Sequence, residues 1–257
     1  MSSPDPQAVN EMFGQIAPRY DAVNRILTGG IDLRWRRAMV RRVTKENPSM
    51  VIDLATGSGD VAFALRRSLP ETCQIVALDF CRPMLDQAIK RQARKPEQSA
   101  ISFRQGDILQ LPLDDSSSDA VTISFGLRNL ADRSRGLSEM KRILRPGGQL
   151  VILEFTQPKA WIRPFYFFYL RRILPFVAGL LSGSFSAYRY LNNSIEGFPD
   201  RERISHELTE AGFHVEEARP MSGGIVCLHR ARKPEAPTPS ADQEFRTDAV
   251  GEEKSLG

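Results

Sequence analysis

A glycine-rich loop between two apolar runs is the first place where this chain offers residues for chemistry. Residues 51–65 read VIDLATGSGDVAFAL, so Gly57, Ser58, Gly59 and Asp60 separate the two runs. Glycines allow a tight backbone turn and a close approach by a ligand. The pattern predicts a strand, a ligand-binding loop and a helix that begins near Asp60. A plain glycine turn in a strand–helix crossover is the alternative.

An acidic residue follows at the spacing of a nucleoside site. Asp79 ends the run CQIVALDF, 20 residues after Gly59. A carboxylate there can accept hydrogen bonds from both ribose hydroxyls, as in NAD-binding domains, and the loop also fits the permissive dinucleotide pattern. The loop and Asp79 therefore predict a nucleoside ligand without choosing between NAD and S-adenosylmethionine.

Polar residues also follow the next two predicted strands. Asp107 and Ile108 come after the third, where they can hold an adenine, and Ser124 ends the fourth, near the methionine end of a donor. Acids after three successive strands, followed by RPGG and another strand, resemble class I S-adenosylmethionine-dependent methyltransferases. Pyridine-nucleotide enzymes lack that combination.

The elements that must position these residues alternate in type. Helical periodicity at about 60–69, 83–94 and 133–144 separates apolar runs that predict strands at 50–55, 74–79, 101–105, 119–124 and 149–155. Such alternation predicts a parallel sheet covered by helices on both faces. Two closing strands joined by residues 220–224 pair antiparallel, because the link is short. The predicted fold class is α/β and Rossmann-like, with a seven-stranded, mostly parallel sheet and an antiparallel last strand.

Three regions are predicted along the chain. Residues 1–45 form an N-terminal helical cap with breaks at Pro18 and at the glycine pair that follows Thr28. Residues 46–233 form the methyltransferase domain, which carries an aromatic insert at 159–191. The polar, acidic tail at 234–257 cannot bury enough apolar surface to offset its ordering entropy, and we expect it to be disordered.

Charge limits the classes of partner. The net charge is +4, but residues 233–257 hold three basic and six acidic residues, so the other 232 residues carry +7. A basic body suits nucleic acid or an anionic membrane surface, and we expect the membrane and no nucleic acid.

Cysteine and histidine usage argues against a metal or disulfide framework. The three cysteines are few and widely spaced, which indicates a reducing compartment and no zinc site: Cys73, Cys81 and Cys227. The three histidines lack ligand spacing, so we expect no metal. The first residues have no basic region followed by an apolar one, so we expect no signal peptide and a cytoplasmic location.

Long motifs add a resemblance to a known family. MFGQIAPRYDAVNRILTGGIDLRWRR, ISFGLRNLADRSRGLSEMKRILRPGGQLVILEFTQP, YRYLNNSIEGFPD and MSGGIVCLHRARK span the chain from about Phe13 to Lys233. On these motifs the chain resembles the quinone C-methyltransferases of menaquinone and ubiquinone biosynthesis. Ser58 stands where that family often has threonine, and serine keeps the hydroxyl.

The resemblance implies S-adenosylmethionine as donor and a reduced, prenylated quinone with a free ring carbon as acceptor. It implies that Ser58, Asp79, Asp107, Ile108 and Ser124 contact the donor. Demethylmenaquinol is the first candidate acceptor, and a ubiquinol precursor or a phytyl-naphthoquinol are the alternatives. An NAD-dependent oxidoreductase and a non-catalytic lipid-binding module are the hypotheses from other classes.

Methylation of a ring carbon needs an ionised neighbouring hydroxyl, and hence a general base or a cation. Asp60 is a candidate base, with helix capping as the alternative. Arg128 is a candidate for stabilising a phenolate, with a structural ion pair as the alternative. Tyr20 is a candidate for orienting the ring or the sulfonium, with packing of the cap as the alternative.

The aromatic insert predicts where the protein meets its acceptor. A quinone with a long isoprenoid tail stays in the bilayer, and residues 159–191 combine aromatic side chains with arginines, a composition suited to the interface. We expect peripheral association with the inner face of the membrane. A lid over the active site or a homodimer contact are the alternatives.

Overall fold

A computed structural model of the chain describes residues 5–94, 100–177 and 185–235. Among these residues seven strands form one sheet in the order β3-β2-β1-β4-β5-β7-β6. Its strands are β1 Met50–Leu54, β2 Gln74–Asp79, β3 Ile101–Gln105, β4 Ser118–Ser124, β5 Leu144–Phe155, β6 His214–Met221 and β7 Val226–Arg232. The first five pair in parallel, and β7 runs antiparallel to both β5 and β6. The predicted fold class is confirmed.

The central strands are buried on both faces of the sheet, and most of their residues are apolar. In β1, Val51 joins the hydrophobic core on one face and Ile52 joins the core on the other. Side chains alternate between the faces of a strand, so a continuous apolar run supplies both cores.

Helices cover both faces of the sheet. The described helices are α1 Pro6–Ile16, α2 Tyr20–Leu27, α3 Ile31–Thr44, α4 Asp60–Arg66, α5 Arg82–Ala93, α6 Arg133–Ile143, α7 Arg163–Phe168, α8 Phe185–Glu196 and α9 Arg201–Glu210. A π-helical turn at Tyr169–Ile173 continues α7. None of the described helices is long and apolar enough to cross a bilayer.

The three N-terminal helices pack in two different places. Trp35, Met39 and Val43 of α3 belong to the core on one face of the sheet. Helices α1 and α2 instead pack with Leu170 and Leu174 in a separate apolar cluster. The cap boundary at residue 45 stays a prediction, and the predicted tail at 234–257 lies outside the described residues except for its first two.

Two boundaries differ from those predicted. Strand β5 begins at Leu144 rather than at Gln149, since Ser118 of β4 already pairs with Leu144 across an irregular register. Pro220 lies within β6 rather than in the turn, which is formed by Ser222–Gly224. Proline tolerates this position because β6 is an edge strand.

Candidate functional site

A cavity opens beyond the carboxyl ends of β1, β2 and β4, where the order of the sheet reverses between β1 and β4. Ligands of open α/β sheets bind at such a point. The cavity encloses about 1110 Å³, including its open mouth. It brings together eight of the predicted site residues: Tyr20, Gly57, Ser58, Asp60, Asp79, Asp107, Ile108 and Ser124. Of the others, Gly59 lines neither this cavity nor a second one beside it, and Arg128 lines only the second.

The glycine loop adopts a backbone that only glycine enters without strain. Gly57 has φ +58° and Gly59 has φ +88°, both in the left-handed region. A β-carbon at Gly59 would lie 2.8 Å from the ring of Phe63. Gly59 also occupies the N-cap of α4, so Asp60 lies in the first turn of that helix rather than at its cap.

Asp79 anchors the loop from the neighbouring strand. Its Oδ2 accepts from the backbone N–H of Gly57 at 2.7 Å, and its Oδ1 accepts from the N–H of Cys81 at 2.8 Å. Burial raises the pKa of this carboxyl, and backbone hydrogen bonds from Cys81, Gly57 and Phe80 oppose the shift. A carboxylate has about four acceptor positions, so oxygen lone pairs remain for hydroxyls of a ligand in the cavity.

The ends of β3 and β4 form one wall of the cavity, and each contributes a polar side chain that can contact a ligand. Asp107 accepts from the N–H of Leu109 at 2.9 Å, which orients its carboxylate beside the buried side chain of Ile108. The hydroxyl of Ser124 is buried and has no hydrogen-bond partner among the described residues. Buried polar groups are normally paired, so this hydroxyl is available to a ligand.

Asp53 is a site residue that the sequence analysis missed. It lies inside β1, is 1% exposed, lines the cavity and accepts from the hydroxyls of Thr56 and Thr122 at 2.6 Å each. Burial raises the pKa of its carboxyl to about 6, against the two hydroxyl donors. The sequence signal that could have identified Asp53 is an aspartate within an otherwise apolar strand, as in VIDLATG.

A second cavity adjoins the first and has a different lining. It encloses about 610 Å³, and most of its walls are apolar or aromatic. Its lining comes from α1, α2, α3, the ends of β4 and β5, and α8: Met12, Phe13, Ile16, Tyr20, Asn24, Thr28, Asp32, Trp35, Arg36, Phe125, Arg128, Phe155, Tyr190 and Leu191. The rings of Phe125 and Phe155 lie with their centroids 4.8 Å apart and their planes inclined by 39°. The cavity suits a flat apolar ring with few polar substituents.

Arg128 lies in this second cavity, but it is already paired. Its Nη1 donates to Oε1 of Glu154 at 2.7 Å and to the carbonyl of Phe125 at 2.6 Å. The guanidinium also lies over the ring of Phe155, 5.2 Å from its centroid. The arrangement is the buried ion pair that the sequence analysis weighed as the alternative.

Asp60 is held by arginines from three helices. Its carboxylate lies 3.0 Å from Arg25 of α2, 2.9 Å from Arg91 of α5 and 3.9 Å from Arg36 of α3. Burial acts to raise the pKa of Asp60, but the guanidiniums of Arg36, Arg91 and Arg25 outweigh it and hold the pKa below its ordinary value. A carboxylate so paired is a weak proton acceptor, which argues against the predicted role of Asp60 as general base.

Tyr20 and Asp21, at the start of α2, close the first cavity. The Tyr20 ring meets that of Phe13 edge-on, with centroids 5.7 Å apart. Asp21 accepts from the hydroxyl of Ser58 at 2.6 Å and from Arg91 at 2.9 Å. Burial, and the nearby charge of Asp60, raise the pKa of Asp21. Helix α2 is thus bonded to the glycine loop that it covers.

Comparison with known proteins identifies close relatives. The model of the ubiE/COQ5 methyltransferase family matches residues 1–233. A demethylmenaquinone methyltransferase of Thermus thermophilus is 44% identical over 224 residues, covering 87% of this chain and 100% of the relative. One of Deinococcus radiodurans is 46% identical over 221 residues, covering 86% and 90%. A ubiquinone/menaquinone biosynthesis C-methyltransferase of Geobacter sulfurreducens is 40% identical over 228 residues, covering 88% and 89%.

Solved structures share the fold at low identity. The crystal structure of a SAM dependent methyltransferase from Aquifex aeolicus gives a TM-score of 0.56 at 18% identity, covering 76% of this chain and 89% of that chain. The [4+2]-cyclase SpnF gives 0.68 at 16% identity, covering 92% and 98%. A cyclase among the matches illustrates that the fold alone does not define the reaction.

Proposed function

Since the chain belongs to the ubiE/COQ5 methyltransferase family, we propose that it methylates a ring carbon of a prenylated quinol, with demethylmenaquinol as the first candidate. The observation that carries this proposal is the pair of adjoining cavities, one lined by carboxylates at the strand ends and one with mostly apolar and aromatic walls. Two relatives named demethylmenaquinone methyltransferase align over 90% or more of their own length, which favours this ring. A ubiquinol precursor or phytyl-naphthoquinol is the alternative acceptor.

S-adenosylmethionine supplies a methyl group on a sulfonium, which is already an activated leaving group. The first cavity fits this donor. We infer that Asp79 accepts from the ribose hydroxyls and that Asp107 with Ile108 holds the adenine. The unpartnered hydroxyl of Ser124 and the loop from Gly57 to Gly59 then face the methionine end.

The second cavity is proposed to hold the quinol ring. Aromatic walls formed by Phe125 and Phe155 suit stacking on a flat ring. Tyr20 lines both cavities and is therefore the residue proposed to align the ring with the donor. Alignment behind the methyl group and exclusion of water are the main tasks of the protein, because good positioning alone is worth several kcal/mol of barrier.

The contacts of the three predicted catalytic residues favour a different role for each. Tyr20 keeps its proposed role. Arg128 is proposed to shape the acceptor cavity, since its charge is already balanced by Glu154. Asp60 is proposed to hold helices α2, α3 and α5 together around the loop.

An NAD-dependent oxidoreductase is the competing hypothesis from another class. Dinucleotide-binding sheets have the order 3-2-1-4-5-6. Here an antiparallel β7 is inserted between β5 and β6. That insertion favours the methyltransferase.

We also propose that an exposed aromatic surface binds the membrane. Four aromatic side chains on and around α7 are 61–76% exposed: Trp161, Phe165, Phe168 and Phe176. On the same segment Leu170 and Leu174 are buried against α1 and α2. Large aromatic side chains flanked by arginines are typical of interfacial segments. We propose that this surface rests on the inner face of the membrane, close to the helices that line the acceptor cavity; a homodimer contact is the alternative.

The test of the function is methyl transfer from labelled S-adenosylmethionine to demethylmenaquinol and to a demethylated ubiquinol precursor, each offered reduced and oxidised. We expect label in reduced demethylmenaquinol alone. Label in both reduced quinols would widen the acceptor class to two pathways. Label in neither, with S-adenosylhomocysteine still bound, would contradict the proposed acceptor class.

A further inference from the structure

Four residues line both cavities, and they mark the junction where a methyl group would pass from donor to acceptor. They are Phe13, Tyr20, Arg36 and Phe125. Three are aromatic, and Arg36 alone of the four carries a charge. The ring carbon that is methylated would lie at this junction. A cation here would therefore be close to a hydroxyl on the neighbouring ring carbon.

Arg36 is held in place without being fully bonded. Its Nη1 donates to Oδ2 of Asp32 at 2.5 Å, and the guanidinium lies 5.4 Å from the centroid of Phe125. Asp32 is itself 4% exposed and is steadied by the hydroxyl of Thr28, 3.0 Å from its Oδ1. Among the described residues no other hydrogen bond is made by the five N–H groups of Arg36, and its Nε, like that of Arg128, is buried without a partner.

Arg36 is also the cationic centre of the site. Its charge acts on titratable groups of three neighbouring elements, and the groups that face it are Tyr20 and Asp21 of α2, Asp32 of α3, Asp53 of β1 and Asp60 of α4. Each carboxylate other than Asp32 has stronger hydrogen-bond partners elsewhere. The positive charge of Arg36 is therefore shared between Asp32, at 2.5 Å, and Asp60, at 3.9 Å.

Exposure separates the two arginines of the acceptor cavity. The side chain of Arg36 is 13% exposed, whereas that of Arg128 is 2% exposed. Arg36 also borders the donor cavity, and Arg128 does not. Of the two cations, Arg36 is the one placed to act where the methyl group moves.

We propose that Arg36 is the residue that holds the acceptor hydroxyl as a phenolate, with Asp32 as the positioning residue that aims its guanidinium. This proposal rests on the proposed function. The hydroxyl releases its proton to solvent as the acceptor binds. The neighbouring ring carbon then forms its bond to the methyl carbon, and the electron pair of the broken C–S bond stays on sulfur. The ring loses the proton of that carbon to solvent and regains its aromaticity, and the phenolate takes up a proton.

The first test compares Arg36→Gln with Arg36→Lys by steady-state kinetics across pH. Loss of one donor to a developing oxyanion typically costs about 10²–10³-fold in kcat, and we expect a loss of that order in Arg36→Gln. The acidic limb of its pH profile should move to higher pH, because the hydroxyl then ionises without help. Arg36→Lys keeps the charge and should restore part of the rate and of the profile.

Asp32→Asn/Arg36→Gln guards against a folding artefact, because it removes the carboxylate that Arg36→Gln would leave buried and unpaired. The double variant should fold and should remain as slow as Arg36→Gln. A pH profile that is unchanged in the folded double variant would overturn the proposal.

The second test measures the pKa of a bound hydroxyl directly, without methyl transfer. A monohydroxylated naphthol with a short prenyl chain is titrated by its phenolate absorbance, bound to protein saturated with S-adenosylhomocysteine. An opposite charge within about 4–6 Å lowers a pKa by roughly one to three units. We expect such a lowering in the wild type and its loss in Arg36→Gln.

Equal probe pKa values in the two proteins, like an unchanged pH profile in the folded double variant, would overturn the role of Arg36. These outcomes differ from failure of the proposed function. If the wild type methylates demethylmenaquinol, the function stands whatever Arg36 does. If it methylates no quinol, the function fails first.

Discussion

Nη1 of Arg128 lies 2.7 Å from Oε1 of Glu154, and the two side chains are 2% and 3% exposed. Removing one partner of a buried ion pair leaves a charge without compensation, which costs about 3–5 kcal/mol. We therefore expect Arg128→Ala to lower the free energy of unfolding by that order, as measured by urea denaturation. We expect any loss of methyl transfer in this variant to result from the lower stability of the fold.

Arg128→Met/Glu154→Gln is the matched control for the ion pair. Glutamine keeps an oxygen that can accept from the backbone N–H groups of Arg128 and Phe155, which now bond to Glu154. The double variant should recover most of the lost stability. If Arg128→Ala were as stable as wild type but inactive, Arg128 would return as a catalytic residue.

The glycine loop offers a comparison at nearly equal backbone angles. Gly57 has φ +58° and Gly29 has φ +57°, so alanine at either position pays about 1–2 kcal/mol of left-handed strain. Only Gly57 lies in the cavity, where a β-carbon would meet Met84 at 3.2 Å, while the space around Gly29 is open. By calorimetry, Gly57→Ala should weaken S-adenosylhomocysteine binding much more than Gly29→Ala does. Equal affinities in the two variants would remove the loop from donor binding.

Asp53 predicts a pH dependence of stability with a definite sign. Burial raises the pKa of its carboxyl to about 6 from an ordinary value of 3.8. Between these values the folded protein binds more protons than the unfolded chain, so this group lowers stability as pH rises. The difference between these two pKa values corresponds to roughly 3 kcal/mol, and the whole effect is present above the folded pKa.

Asp53→Asn isolates that contribution, because other carboxyls titrate in both proteins. The free energy of unfolding is measured by urea denaturation from pH 4 to pH 7 in each protein. The stability of the wild type minus that of the variant should fall as pH rises from about 4 to about 6. A flat difference would mean that Asp53 keeps an ordinary pKa.

The aromatic surface on α7 predicts membrane binding. Phe165→Ser/Phe168→Ser exchanges two side chains that are 76% and 61% exposed, so the fold should be unaffected. Binding to vesicles of phosphatidylglycerol and phosphatidylcholine, measured by co-sedimentation, should drop sharply. Added salt should weaken wild-type binding if basic residues contribute, because exposed charges are screened.

Ile89→Ser is the matched control for that surface, since Ile89 is 40% exposed on a different helix, α5. It should bind vesicles as the wild type does. Sedimentation velocity without lipid distinguishes a homodimer contact from membrane binding. A dimer that dissociates in Phe165→Ser/Phe168→Ser, with vesicle binding intact, would assign the surface to self-association.

The central strands could be predicted from sequence because most of their residues are apolar and buried on both faces of the sheet. The same reasoning placed the loop and Asp79, since their spacing follows from one strand–helix–strand unit. The start of β5 at Leu144 was missed because RPGG reads as a turn, although β4 pairs with its first residue.

The features of the site that the sequence does not reveal depend on tertiary packing. Arg36 belongs to a helix rich in arginine, and one inward-facing arginine there cannot be told from its solvated neighbours by periodicity. From its position after the glycine loop, Asp60 is expected to be an unpaired carboxylate. In the structure it is paired with arginines from α2, α3 and α5. Such partners appear only when distant helices meet.

The most direct test of the central claim is the position of the transferred methyl group. Reduced demethylmenaquinone is incubated with S-adenosylmethionine that carries a trideuterated methyl group, and the product is oxidised and analysed by mass spectrometry and NMR. We expect a quinone with three deuterium atoms on a methyl group bonded to the ring carbon. An O-methylated product, or an unlabelled acceptor alongside bound donor, would contradict it.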